Sequence, residues 1–266
     1  MIFDPFNLGL IWDVIAFFIS FILVLMLVQI NAAIEKSGAL SATVTRKTIH
    51  TFAAPVWVVS WLLFTGGVFS RWLAMIVPLL FVILFAAIGT GAMENEDFVG
   101  SMSRSGDPKE LLEGTLYYAF IMLVVGILWF YVPASGNLTA ATPTALIIFG
   151  CLAGGDGLAD VIGRKYGGER KFGFGGAEKT IAGSIGMFIG SFLFSIVLVA
   201  IFSLETGFSI VPLIMPIVVV SIIATIVEAI TPSGYDNLSI PIATIIVILL
   251  LPYLGFYWPY PMFTLF

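Results

Sequence analysis

The feature that most restricts this chain is a series of apolar runs, each about as long as a bilayer is thick and each nearly free of charge. Eight can be drawn, at roughly 8–30, 52–69, 72–92, 114–132, 144–162, 180–203, 209–230 and 238–258. A helix needs about 20 apolar residues to cross the hydrocarbon core. A transmembrane β-barrel would instead need short segments of alternating polarity, which are absent. Composition excludes a soluble reading: only 10% of the 266 residues are charged, against about 25% in typical soluble domains. The expected fold is all-α, a multi-pass transmembrane helical bundle of about eight spans, forming a single integral membrane domain over 1–266.

The flanks of these runs carry further information. Trp72, Tyr131, Tyr253, Tyr257 and Trp258 sit at run ends, as interfacial anchors do. The first run lacks a basic leader and a small-residue cleavage site, so it reads as a retained span. The lone cysteine, Cys151, lies within a run and has no partner for a disulfide. With the N-terminus outside, cytoplasmic loops fall at about 31–51, 93–113, 163–179 and 231–237. Ten of the eleven Lys and Arg residues then lie on the cytoplasmic side, with Arg71 the exception. The outer connections, around 70, 133–143 and 204–208, are short and poor in charge. A transporter would be expected to place polar groups near mid-bilayer, often in paired inverted repeats. No internal repeat is visible, and the acids gather near one face.

The third inner loop, with the ends of its two spans, carries the strongest chemical signal. It reads GGDGLADVIGRKYGGERKFGFGGAEKTIAGSIGMFIG from Gly154 to Gly190. Asp156 and Asp160 are four residues apart, so a helix sets both carboxylates on one face. Acids at the end of an apolar span are costly and mark function. Such a pair suits magnesium, a hard cation held by one or two carboxylates together with substrate phosphates. Gly154, Gly155 and Gly157 allow close approach of a second backbone or of a ligand. Arg164, Lys165, Arg170, Lys171 and Lys179 offer charge to phosphate oxygens. The bland alternative pairs the two aspartates with Arg164 or Lys165 as a structural ion pair. FGFGGAEKT imitates the end of a P-loop, but Glu178 stands where that motif requires glycine. Gly183, Gly186 and Gly190 form a small face suited to tight helix packing.

The other inner loops are less specific. Arg46, Lys47 and His50 precede the second span, and Arg46 and His50 share a helical face. They read equally as positive-inside anchoring or as part of a phosphate site. His50 is the one histidine, so a histidine-rich metal site is excluded. Glu94, Glu96 and Asp97 read as a solvated face. Asp107 and Pro108 read as cap and first residue of a helix. In VEAITPSGYDNLSIP, Glu228 ends the seventh span and needs a partner. Asp236 and Asn237 suit a turn and cap. Asp13, in the first span near the outer side, is a comparable acid within a span and has no assigned role.

Taken together, GDGLADVIGRKYG followed by EKTIAGSIGMF resembles the polyprenol kinase family, which includes phytol kinases, dolichol kinases and CTP-dependent diacylglycerol kinases. RKTIH, SGDPKELLEGTLYYA and VEAITPSGYDNLSIP are similar to further segments of that family, in the same order from about Arg46 to Pro241. The resemblance implies phosphoryl transfer from CTP to the hydroxyl of an isoprenoid alcohol within a lipid bilayer. By position, Asp156 and Asp160 match the family's acidic motif, and Lys179 its lysine after the loop. Phosphatidate cytidylyltransferases are more distantly similar. Their C-terminal Lys-Asp pair and Gly-His-Gly-Gly run are missing here, since no histidine follows His50.

The expected reaction relies on positioning and charge neutralisation. Asp156 and Asp160 are the candidate ligands of Mg2+. Arg46, Lys47, His50, Gly155, Gly157, Arg164, Lys165 and Asn237 are candidates for nucleotide and phosphate binding. Lys179, Glu228 and Asp236 join the two aspartates as candidate catalytic groups, with Glu228 or Asp236 orienting or deprotonating the alcohol. No nucleic-acid partner is expected. The rival readings are a CDP-lipid synthase and a non-enzymatic membrane transporter.

Overall fold

The structure is a computed structural model describing residues 4–103, 105–130, 142–169, 171–173, 178–206, 209–232 and 234–264. Arg104, Tyr131, Arg170 and parts of the expected outer connections at 133–143 and 204–208 lie outside the described residues. The helices are α1 (Leu10–Lys36), α2 (Ala42–Ser60), α3 (Ser70–Gly89), α4 (Glu96–Met102), α5 (Gly114–Trp129), α6 (Thr144–Phe149), α7 (Asp156–Tyr166), α8 (Ile181–Thr206), α9 (Ile214–Ile230) and α10 (Asp236–Leu250). A π-helical segment, Gly150–Gly155, joins α6 to α7 without a break. Among the described residues there is no β-strand, only an isolated antiparallel bridge between Phe172 and Lys179. The fold is all-α.

Six helical stretches are long and apolar enough to cross a membrane: Leu10–Lys36, Ser70–Gly89, Pro108–Trp129, Thr144–Tyr166, Ile181–Leu204 and Val211–Ile230. The expected spans at 52–69 and 238–258 correspond to α2 and α10, of 19 and 15 residues, which fall short in apolarity or length. Helix α2 begins at Ala42 rather than near 52 and stops at Ser60. Its first half carries Thr43, Thr45, Arg46, Lys47, Thr48 and His50, which an apolarity count passes over. Two of the threonines bond back to their own helix. Thr48 Oγ1 donates to Val44 O at 2.9 Å, and Thr45 Oγ1 to Ala42 O at 3.1 Å.

The chain forms two compact units. In the first, Asp4–Ile127, α1 packs against α2 and α3. Asp13 of α1, 2% exposed, accepts hydrogen bonds from Thr65 N (2.7 Å), Thr65 Oγ1 (3.0 Å) and Ser70 Oγ (2.6 Å). This acid therefore ties the turn after α2 and the start of α3 to α1. Pro55 removes one N–H from the α2 ladder. One residue earlier in that ladder Tyr118 of α5 inserts its hydroxyl, donating to His50 O at 2.7 Å and accepting from Ala54 N at 3.3 Å. Asp107 caps the 3-10 turn Pro108–Leu112 through Lys109 N (2.9 Å), with Pro108 in first position as expected. Glu94 and Glu96 are exposed, as expected of a solvated face.

In the second unit, from Leu128 onward, the stretch Thr144–Tyr166 is central. It is 78% buried, against 33–44% for the other five apolar stretches. Every residue from Thr142 to Gly157 is buried. Helix α8 runs along it at backbone distance, and the glycines make this approach feasible. A Cβ on Gly190 would stand 2.2 Å from Gly154 O, and one on Gly186 would stand 2.7 Å from Leu158 O. A Cβ on Gly150 would meet the Ser195 backbone nitrogen at 2.5 Å. These positions tolerate no side chain without separating the helices. Helix α9 packs on α8, and α10 on α9 and α6.

Candidate active site

The site is built in the second unit from four elements. The π segment delivers the chain into α7 with Asp156 as its first residue, buried at 8% exposure. π segments accommodate an extra residue per turn and recur at functional sites. One turn on, Asp160 is half-buried and accepts from Arg164 Nε at 2.9 Å, with the second guanidinium nitrogen at 2.8 Å. The structural pairing weighed for the two aspartates is therefore present for Asp160.

Lys179 arrives from the loop between α7 and α8. The bridge to Phe172 fixes its backbone on both sides: Phe172 N donates to Lys179 O at 2.9 Å, and Lys179 N to Phe172 O at 2.7 Å. Thr180 Oγ1 then accepts from Gly183 N at 3.0 Å, capping the start of α8. The Lys-Thr pair thus divides its work, with threonine starting the helix and lysine turning inward.

Glu228 ends the buried stripe of α9, which runs through Ile217, Val220, Ser221 and Ala224 at helical spacing. Its Oε1 accepts from Lys179 Nζ at 2.5 Å. Its Oε2 is buried and has no hydrogen-bond partner among the described residues. Asp236, the first residue of α10, brings Oδ2 to 4.0 Å from Lys179 Nζ, while its Oδ1 accepts from Asn237 N at 3.0 Å. Thr231 and Ser239 share a hydrogen bond of 2.8 Å that closes the turn between α9 and α10.

Burial works against the charge on Lys179, but it is outweighed by Glu228, through charge and hydrogen bond, and then by Asp236 and Asp156. The net result holds the lysine above its ordinary pKa, and it remains an ammonium. Three carboxylates around one ammonium leave a formal excess of two negative charges. Among the described residues no three His, Cys, Asp or Glu side chains are grouped to hold a metal unaided. Magnesium needs only one or two carboxylates when phosphate oxygens complete its shell, a donor number that Asp156 and Asp160, one turn apart on α7, could supply.

Of the other candidates, Asn237 is buried beside Asp236, and Gly157 is buried in the first turn of α7. Gly155 faces α8: a Cβ there would stand 2.3 Å from Ser191 Oγ and 2.8 Å from the Met187 side chain. The close approach it permits is helix to helix. Lys165 is exposed, with Nζ 5.2 Å from the centroid of the Tyr166 ring. Arg46, Lys47 and His50 belong to α2 in the first unit, each partly exposed, with the His50 ring 4.3 Å from that of Tyr118. Sequence reasoning missed the bond from Tyr118 to α2, the cap at Thr180 and the pairing of Lys179 with Glu228. For the last, the unpaired acid in α9 was the available signal.

No protein-family model matches the chain, and no solved structure matches it. Several curated proteins do. The chain is 34% identical over 230 residues to probable phytol kinase 2, chloroplastic, of Oryza sativa subsp. japonica, covering 84% of this chain and 71% of the relative. It is 30% identical over 220 residues to phytol kinase 1, chloroplastic, of Arabidopsis thaliana, covering 80% and 68%. It is 31% identical over 239 residues to farnesol kinase, chloroplastic, of Arabidopsis thaliana, covering 87% and 73%.

Proposed function

The chain belongs to the polyprenol kinase family of phytol and farnesol kinases, and from that premise we propose that it transfers the terminal phosphoryl group of CTP to the hydroxyl of a bilayer-held isoprenoid alcohol. The alcohol oxygen bonds to the terminal phosphorus, the bond from that phosphorus to the bridging oxygen breaks, and the products are a prenyl phosphate and CDP. The observation that carries this reading is Lys179, fixed by its bridge and held by Glu228 with Asp236 at 4.0 Å, the charge of Asp156 also acting on it.

Each group has a role that follows from its chemistry. Asp156 and Asp160 are the residues to hold Mg2+, which when bound would neutralise charge on the triphosphate. Lys179 supplies a point charge to phosphate oxygens. Arg164, at the exposed end of α7, offers a planar fork to the same oxygens once it leaves Asp160. Asn237 and Asp236 line the rim at the start of α10. The apolar helices provide surface for the prenyl chain, and the basic loops support a cytoplasmic position for the headgroup chemistry.

The test is purified protein in detergent or nanodiscs, given phytol, farnesol or geranylgeraniol and magnesium with CTP labelled either at the γ-phosphate or on the cytidine, or with γ-labelled ATP. Label should reach the prenol from CTP, and Asp156→Asn should lower turnover at least ~10²-fold with the fold intact. Labelled cytidine in the lipid, or no nucleotide consumption at all, would overturn the proposal.

A further inference from the structure

Both Glu228 and Asp236 stand within reach of Lys179, and either is a candidate to receive the alcohol's proton. The geometry separates them. Asp236 is one-fifth exposed, and its Oδ1 serves the backbone of the next residue. Glu228 is 4% exposed; one oxygen is bound to Lys179 and the other, Oε2, is buried with no donor among the described residues. A buried carboxylate oxygen without a donor is costly, and such oxygens are nearly always satisfied. The missing partner must be a hydrogen-bond donor able to reach the inner end of an apolar helix. A prenol fits: one hydroxyl, one donor, on a chain that partitions into hydrocarbon.

We infer that Glu228 Oε2 receives the hydroxyl of the isoprenoid alcohol and takes its proton as the oxygen attacks the terminal phosphorus; this rests on the kinase reading above. The proton moves from the alcohol to Oε2, the new P–O bond forms as the bond to the CDP leaving group breaks, and the glutamic acid afterwards returns its proton to solvent. Lys179 on Oε1 holds the carboxylate in one rotamer. In a loose phosphoryl-transfer transition state the proton moves late, so a lysine-paired carboxylate is a sufficient acceptor. Helix α9 carries the carboxylate at the end of its buried stripe, while Ile222, Ile226 and Ile230 are exposed on another face of the same helix.

The experiment has two stages. Wild-type protein is first assayed for CTP-dependent phosphorylation of phytol and farnesol; if there is none, the kinase reading itself falls. Given activity, Glu228→Gln, Glu228→Asp and Asp236→Asn are compared for kcat, for KM of the alcohol, for binding of a fluorescent CTP analogue and for thermal unfolding. An amide oxygen in Glu228→Gln still accepts from Lys179, so CTP binding should be unchanged. Turnover should drop about 10²-fold or more, and the acidic limb of the pH–rate profile should vanish. Glu228→Asp should recover part of kcat, and Asp236→Asn should keep the acidic limb. Glu228→Gln with near-normal kcat would overturn the assignment. So would parallel losses of CTP binding and turnover, or unfolding of both Glu228 variants, since these mark a purely structural carboxylate.

Discussion

Of the three acids buried among the described residues, Asp13 in α1 and Glu228 in α9 have surroundings that differ in kind. Asp13 is saturated by neutral donors: a backbone N–H, a threonine hydroxyl and a serine hydroxyl, all at 3.0 Å or less. Glu228 has an ammonium on one oxygen and nothing from the described residues on the other. The first arrangement joins a loop to two helices and leaves nothing over for chemistry. The second carries a countercharge that can be shared with an incoming phosphate and an acceptor still unfilled. In this chain a buried carboxylate is therefore read by what its second oxygen touches, not by its burial.

Removing each partner in turn tests that contrast. The largest effect is expected for Lys179→Met, which leaves Glu228 buried without its countercharge. Turnover should fall by about 10³-fold, and stability by about 3–5 kcal/mol, seen as a lowered unfolding midpoint in detergent. The pH dependence follows from the raised pKa of the lysine. A cation whose folded pKa is raised contributes stability fully below its unfolded pKa, about 10.4, and loses it as pH climbs through the higher folded value. The deficit of Lys179→Met against wild type should therefore be flat across neutral pH and shrink only in alkali. A deficit that shrinks near pH 7 would break the pairing.

Asp13→Ala should cost less and differ in character. It strands donors at Thr65 and Ser70, a loss of about 1–3 kcal/mol by thermal unfolding, with turnover per folded molecule unchanged. A fall in kcat would erase the distinction between the two acids. Smallest is Arg164→Ala, which removes the more exposed partner of Asp160. Stability should move by less than about 0.5 kcal/mol, with the effect appearing in KM for CTP rather than in folding.

The apolar runs made the membrane class and six helices legible, because an 18-residue excess of apolar side chains is a local property. Helix α2 was misplaced because its threonines and bases are polar yet helical, bonding back to their own backbone. The packing face of Gly183, Gly186 and Gly190 was readable from spacing alone. The face shared by Asp156 and Asp160 was readable too, but not their different fates, since Asp160 meets Arg164 on its own helix while Asp156 acts on Lys179. Lys179 and Glu228 are 49 residues apart in sequence, and no periodicity links a loop lysine to a glutamate two helices later. Gly155 shows the opposite limit. A glycine beside an aspartate suggests room for a ligand, and here α8 fills that room.

The π segment at Gly150–Gly155 has a consequence for how this machinery can be altered. One surplus residue in a helical turn shifts the phase of everything downstream by about 100° around the axis. The buried half of the rod at Thr144–Phe149 and the half that bears Asp156 are thus clocked independently. Deleting a single glycine from this stretch would leave composition, length and greasiness almost untouched, yet swing the aspartate off its bearing as a key is turned in a lock.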